Sequence, residues 1–399
     1  MFKKCSLTVF ALLIWFAPAT SALTDNPTIA ILRFGALPSL DITEGAVLDL
    51  LESYGYLSPE ENRILEDRRD HHGQYVNVIW GDAGFDYPTV NIMVENAIDE
   101  GADVLVTLGT PVTLTAVHTT LEAEDPPAVL FTSVHNPYLA GIADASCLKP
   151  AHVTGTEIET SYEYVFDALQ KQDPALSVIG TIYDTAEASG VYGVDRITDL
   201  AGEIGISTEV AGVTSLADLR AATDSLMQKG ADAIVLPIDS LTTQGLPIIV
   251  TIANENGVPV FHPSLGSIYY GATIGAGYSA FYDNGVRVGI MLAAHLSGDI
   301  DIATTGIYVA SGEGLGINLD SANMQGVEVS SDLMREADVV LEGGSPVRVS
   351  ARVMQRIRQR GVVIPLEQRQ EADREFLAKI QCSEETIAEQ QAALEAAEG

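Results

Sequence analysis

Basic side chains are scarce in this sequence: 21 lysines and arginines stand against 55 acidic residues, a formal net charge of −34. A surface of that sign repels phosphate backbones and anionic membranes, which argues against nucleic-acid binding; its plainest use is solubility. Long apolar runs are missing as well. The segment Leu7–Ala17 is too short to cross a bilayer comfortably, and no later stretch reaches the ~18 uninterrupted apolar residues of a membrane helix. Signatures of chemistry are also lacking. The chain contains no Walker lysine motif, no CxxC, no HExxH and no GxSxG nucleophile turn, so no catalytic set, cofactor or metal site is expected. Gly312-Glu313-Gly314-Leu315-Gly316 spaces its glycines closely but does not open a helix inside a βαβ unit, which argues against a phosphate loop. The adjacent His71 and His72 point to different sides and do not make a metal pair.

What is present begins with an export signal. Lys3 and Lys4, the apolar run and the small residues ending at Ala22 read as a cleavable signal peptide over residues 1–22. Its removal leaves 19 basic and 55 acidic residues, net −36. Cys5 precedes the apolar run and leaves with it, so a free periplasmic protein is expected rather than a lipid-anchored one. Cys147 and Cys382 remain; in an oxidising compartment they either join or stay as two buried thiols.

From Thr28 onward, short β-branched runs alternate with longer segments of helical period, the signature of βαβ units and parallel sheets. Expected strands are Thr28–Leu32, Val76–Trp80, Val104–Leu108, Ala128–Thr132, Ser177–Tyr183, Ser207–Val210, Ala233–Pro237 and Val258–Phe261. Residues 76–132 and 207–261 share one grammar: strand, helix, Gly-Ala-Asp, strand, polar loop, helix, strand. The chain therefore reads as two copies of one α/β lobe. The small, turn-forming stretch Asn136–Thr156 is the expected crossing between them. Phe281–Leu296 and Ser321–Ala337 read as further helices, and Met354–Glu398 as charged, helix-prone sequence ending in a solvated tail.

Open α/β sheets bind ligands beyond the carboxyl ends of their strands. The loops to inspect are thus those holding Gly35 and Ala36, Gly109 and Thr110, and Asn136 in the first lobe. In the second they hold Asp184, Glu187 and Ser189, then Asp239 and Ser240, then His262. Thr110 before Pro111 suits a helix start and serves either as a cap or as a ligand contact. Asp239 either caps its own helix or holds a cationic amine on the ligand, the second being preferred. His135 and His262 follow equivalent strands and are expected to line the cleft. Few basic side chains lie in these loops, so the ligand is expected to be a small zwitterion or polar heterocycle.

The order of segments resembles the ABC-transporter substrate-binding family that includes tryptophan- and tyrosine-type uptake proteins. The stretches that carry it are Asp41–Tyr56, Val104–Ala116 with Gly109-Thr110-Pro111, Asn136-Pro137, Val153-Thr154-Gly155, Tyr162–Asp184, Ala231–Ser240, Gly257–Gly277, Tyr282–Gly298 and Ile317–Ala337. Asn136 stands where the family usually shows aspartate, and His152 where it shows asparagine. The resemblance implies a type I periplasmic binding fold, two Rossmann-like lobes with parallel sheets joined by a multi-crossover hinge. Its pattern puts residues 27–140 and 274–300 in one lobe, 150–273 and 301–342 in the other, and leaves 343–399 as a helical C-terminal extension. It implies a monomer that closes on an amino acid or similar zwitterion and delivers it to the permease of an ABC importer in the inner membrane. The alternatives are a periplasmic sensing subunit for a membrane signalling protein, or an exported enzyme on the same scaffold.

Overall fold

The computed structural model describes residues 26–398; the signal peptide and Cys5 lie outside the described residues. In lobe 1 the chain forms β1 (Thr28–Arg33), α1 (Pro38–Ser53), α2 (Pro59–Leu65), β2 (His71–His72), β3 (Asn77–Asp82), α3 (Tyr87–Asp99), β4 (Val104–Leu108), α4 (Thr110–Thr120), β5 (Ala128–Val134) and β6 (Val153–Ile158). Lobe 2 follows with α5 (Tyr162–Gln172), β7 (Val178–Asp184), α6 (Ala188–Glu203), β8 (Ser207–Val213), α7 (Leu219–Gln228), β9 (Ala233–Val235), α8 (Ser240–Gln244), α9 (Leu246–Asn256), β10 (Val260–Ser264) and β11 (Ile274–Tyr278). The chain returns to lobe 1 for α10 (Phe281–Leu296) and β12 (Tyr308–Ala310). It then re-enters lobe 2 with β13 (Glu313–Asn318), α11 (Leu319–Gln325), α12 (Ser331–Glu336), β14 (Val339–Glu342), β15 (Ser345–Val349) and α13 (Ala351–Gln359). The last helices are α14 (Leu366–Lys379) and α15 (Glu384–Glu398).

Two sheets result, ordered β12-β6-β5-β4-β1-β3-β2 and β15-β14-β13-β11-β10-β9-β7-β8. Pairing is parallel except at β2/β3, β11/β13 and β14/β15. The central strands β4 and β5 bury every residue, because helices cover both faces; this is why they read as unbroken apolar runs rather than alternating ones. The repeated grammar is realised as β3-α3-β4-α4-β5 in one lobe and β8-α7-β9-α8-α9-β10 in the other.

The boundaries differ from the sequence expectation in three places. Residues 150–158 belong to lobe 1, since β6 pairs with β5, and the first crossing falls at 159–161 rather than within Asn136–Thr156. The small residues there serve close packing: a Cβ on Gly155 would lie 2.2 Å from the Phe131 carbonyl. β12, expected in lobe 2, extends the lobe 1 sheet by pairing with β6, and β11, expected in lobe 1, joins the lobe 2 sheet between β10 and β13. Side-by-side crossings make the hinge. The Glu159 N–H donates to the Ala310 carbonyl at 3.1 Å and the Ser279 N–H to the Gly312 carbonyl at 2.9 Å, around the apolar cluster Ile158, Tyr278, Ala280 and Ala310.

The extension after residue 343 is helical only in part. It opens with β15 on the edge of the lobe 2 sheet, and α13 docks there through Val353, packed with Leu265, Ile268, Val339 and Leu341. α14 crosses to lobe 1, where Phe376 joins the core, Tyr54 donates to Asp373 at 2.8 Å and Arg287 sits over the Phe376 ring. Cys147 and Cys382 are joined, which resolves the open choice in favour of the bridge. The solvated tail expected at the end holds for most of α15, although Gln390 still reaches the Ser146 hydroxyl at 2.7 Å.

Candidate functional site

The loops at the carboxyl ends of both sheets face one another, and the lobes touch. Ala188 at the start of α6 packs against the lobe 1 core around Phe34 and Phe85. Tyr87 of lobe 1 looks across at Glu187, Asp184 and Asp239; burial first, and then their charges, push its phenol well above the usual range. Between the lobes lies a small chamber of about 80 Å³ that runs into a larger cavity of about 390 Å³, with Leu37, Ser39, Thr243, His262, Ser264 and Phe281 lining both.

The charge in the small chamber comes from one carboxylate pair. Glu187 is 5% exposed; it accepts from the Ser189 hydroxyl at 2.7 Å and from the Ser240 N–H at 2.8 Å. Asp239 is 1% exposed; it accepts from the Thr242 N–H at 2.6 Å, the Thr242 hydroxyl at 2.7 Å and the Asp184 N–H at 3.0 Å. Neither forms an ion pair among the described residues. Desolvation, together with the neighbouring Asp239 charge, pushes Glu187 up to about 7, and desolvation raises Asp239 to about 6. His262 is 2% exposed, and both its ring nitrogens lack a hydrogen-bond partner among the described residues. Burial, then the neighbouring His135, lowers its pKa to about 4, so the ring is neutral. An unpaired buried imidazole facing a cavity is costly unless a ligand supplies the missing bonds.

Of the residues expected from sequence, Gly109, Thr110, Glu187, Asp239, Ser240 and His262 line the small chamber, joined by His135. Ala36 lines the larger cavity. Gly35, Asn136, Asp184 and Ser189 line neither. Gly35 is needed because a Cβ there would meet the Phe85 ring at 2.5 Å. Asn136 turns its side chain onto the Leu139 N–H at 3.0 Å, Asp184 accepts from the Ala186 N–H at 2.9 Å, and Ser189 braces Glu187. Asp239 caps α8, the role sequence had ranked second, while Thr110 makes no cap: Gly109 takes that position with no side-chain bond. Leu37, in the expected cleft loop Gly35–Leu40, lines both chamber and cavity; sequence reasoning missed Phe281, which carries no polar signal, and Arg356 and Arg360, which lie after the expected binding lobes.

Two α/β lobes about a three-stranded hinge, with a ligand-sized cavity at the strand ends, define a bilobed solute-binding architecture. The chain belongs to the ABC transporter substrate binding protein family, whose sequence profile matches residues 65–341. A tyrosine-binding protein of Clostridioides difficile strain R20291 is 26% identical over 210 residues, which is 53% of this chain and 59% of that protein; the match thus spans under two thirds of that relative. Among solved structures, a conserved domain protein of Vibrio cholerae superposes with a TM-score of 0.70 at 24% identity, and a Streptococcus pneumonia ABC domain in complex with L-Trp with 0.69 at 23%. Each covers 79% of this chain and 100% of its own. Those two likenesses speak for the type I periplasmic binding fold.

Proposed function

We propose that the protein is a periplasmic receptor that closes its lobes on a small amine-bearing solute, an amino acid or similar zwitterion, and presents it to an ABC importer. The observation that carries this reading is the Glu187–Asp239 pair: two buried carboxylates with no counter-ion among the described residues, beside a His262 that has no hydrogen-bond partner among them. A ligand ammonium supplies the missing positive charge and donates hydrogen bonds, and its differential affinity for the closed state holds the lobes together. The names of relatives that bind tyrosine or contain L-Trp support the same solute class. In this reading the protein binds without turnover, acts as a monomer and hands its cargo to a permease in the inner membrane. Titration calorimetry of the processed protein against the twenty amino acids and simple amines tests it. We expect at least one primary amine to bind with micromolar affinity or better; a chain that binds none of them refutes the reading.

A further inference from the structure

The larger cavity has a charge of its own, opposite to that of the small chamber. Its walls are mainly apolar, with Ile42, Leu246, Leu265 and Phe281 among them, and the charged side chains that reach it are Arg356 and Arg360. Both come from α13 and the residue after it, beyond residue 341 where the family match ends. In a chain of 21 basic residues, two guanidiniums at one apolar cavity are a local inversion of the overall charge. α13 is fixed in place: Arg352 pairs with Asp338 at 2.6 Å, and the Ser350 hydroxyl donates to Asp338 at 2.7 Å. Arg356 is held at the hinge, its Nη1 donating to the Ser279 hydroxyl at 2.7 Å with Asp283 at 3.5 Å, and its side chain is 20% exposed. Arg360 forms no ion pair among the described residues.

We infer that α13 is a third wall of the binding cavity, and that Arg356 and Arg360 take an anionic group, a carboxylate or its like, at the far end of the ligand. The cargo is then a zwitterion of a particular kind: an amine held by Glu187 and Asp239, an apolar body in the larger cavity, and an acid remote from the amine. An arginine fork suits a carboxylate through paired hydrogen bonds, and an apolar surround strengthens them. This inference rests on the amine reading above and goes beyond it, because an α-amino acid carries its two charges one carbon apart.

Three probes separate the cases by calorimetry: phenethylamine, phenylalanine and 4-(2-aminoethyl)benzoate. We expect the benzoate to bind about tenfold or more tightly than phenethylamine, and Arg360→Gln and Arg356→Gln each to shrink that ratio severalfold, the double variant to within twofold. Arg356→Lys, which keeps the charge, should recover part of the ratio if the loss is electrostatic rather than structural. Equal affinity for the benzoate and phenethylamine overturns the inference, as does an unchanged ratio in the folded double variant. Tight phenylalanine binding with no response to either arginine leaves the amine reading standing and removes this one. Failure of all three probes to bind overturns this inference, and the amine reading falls with it only if none of the twenty amino acids and simple amines binds either.

Discussion

Both lobes bury carboxylates near the cleft, and they treat them in opposite ways. In lobe 1, Glu44 is 4% exposed on its side chain, yet Arg68 lies 3.2 Å away and Arg33 3.5 Å away; Arg33 also holds Asp82 at 2.7 Å and Asp41 at 2.5 Å. Trp80 completes that cluster, donating its indole N–H to Glu44 at 3.2 Å with the Arg33 guanidinium over its ring. In lobe 2, Glu187 and Asp239 have amides and hydroxyls but no cation among the described residues. A buried charge that is fully paired within the chain is structure. One left waiting for a partner is a place for a ligand.

The largest expected effect tests the paired side. Arg33→Met leaves Asp82 without a guanidinium and Asp41 and Glu44 with Arg68 alone, and should cost about 3–5 kcal/mol, read as a lower urea midpoint at unchanged slope. A stability loss under about 1 kcal/mol would mean that the lobe 1 cluster is no more structural than the lobe 2 pair. Glu187→Gln is the mirror experiment. It should weaken amine binding on the order of a hundredfold, about 3 kcal/mol, while the empty protein melts no lower than the wild type, because a repulsive buried charge has been removed. A lower melting temperature with unchanged affinity would make Glu187 a structural residue.

Asp239→Ala should do both things at once. Losing the α8 cap costs about 1–2 kcal/mol of stability, and losing the second carboxylate weakens binding by roughly tenfold. The corresponding lobe 1 change, Thr110→Ala, removes no cap and should leave the melting temperature within a degree or two. The smallest effect is a pH dependence. Glu187 and Asp239 have folded pKa values raised above their unfolded ones, so between about pH 4 and 7 the folded chain holds protons that the unfolded chain has released. From this pair, the empty protein therefore loses stability as pH rises through that window. An amine needs both acids ionised, so its affinity should instead fall as pH drops from 7 to 5. Parallel trends in the melting curves and the calorimetry would contradict the assignment.

Much of the scaffold was legible because its signals are local. β4 was expected at the residues it occupies, and the other seven expected strands differ from the observed ones by a few residues at their ends. The cleft loops followed from the rule that ligands sit beyond strand ends, and six of the eleven residues chosen that way line the small chamber. The failures share a cause. Asn136–Thr156 was read as a link because small residues look alike in a turn and in a tightly packed strand; only the neighbouring Phe131 carbonyl distinguishes them. Gly35 was assigned to the ligand although Phe85, fifty residues on, is what requires it.

The sequence by itself determined the two repeated lobes, the family and the acidic character, since each is written in composition, periodicity or segment order. Tertiary structure alone decided which carboxylates are paired, that Cys147 meets Cys382, and that a helix from beyond the family match brings arginines to the cavity. The reason is distance along the chain. Glu187 and Ser240 lie 53 residues apart and Cys147 and Cys382 235 apart, and no local pattern encodes which distant side chain arrives to satisfy, or fails to satisfy, a buried charge.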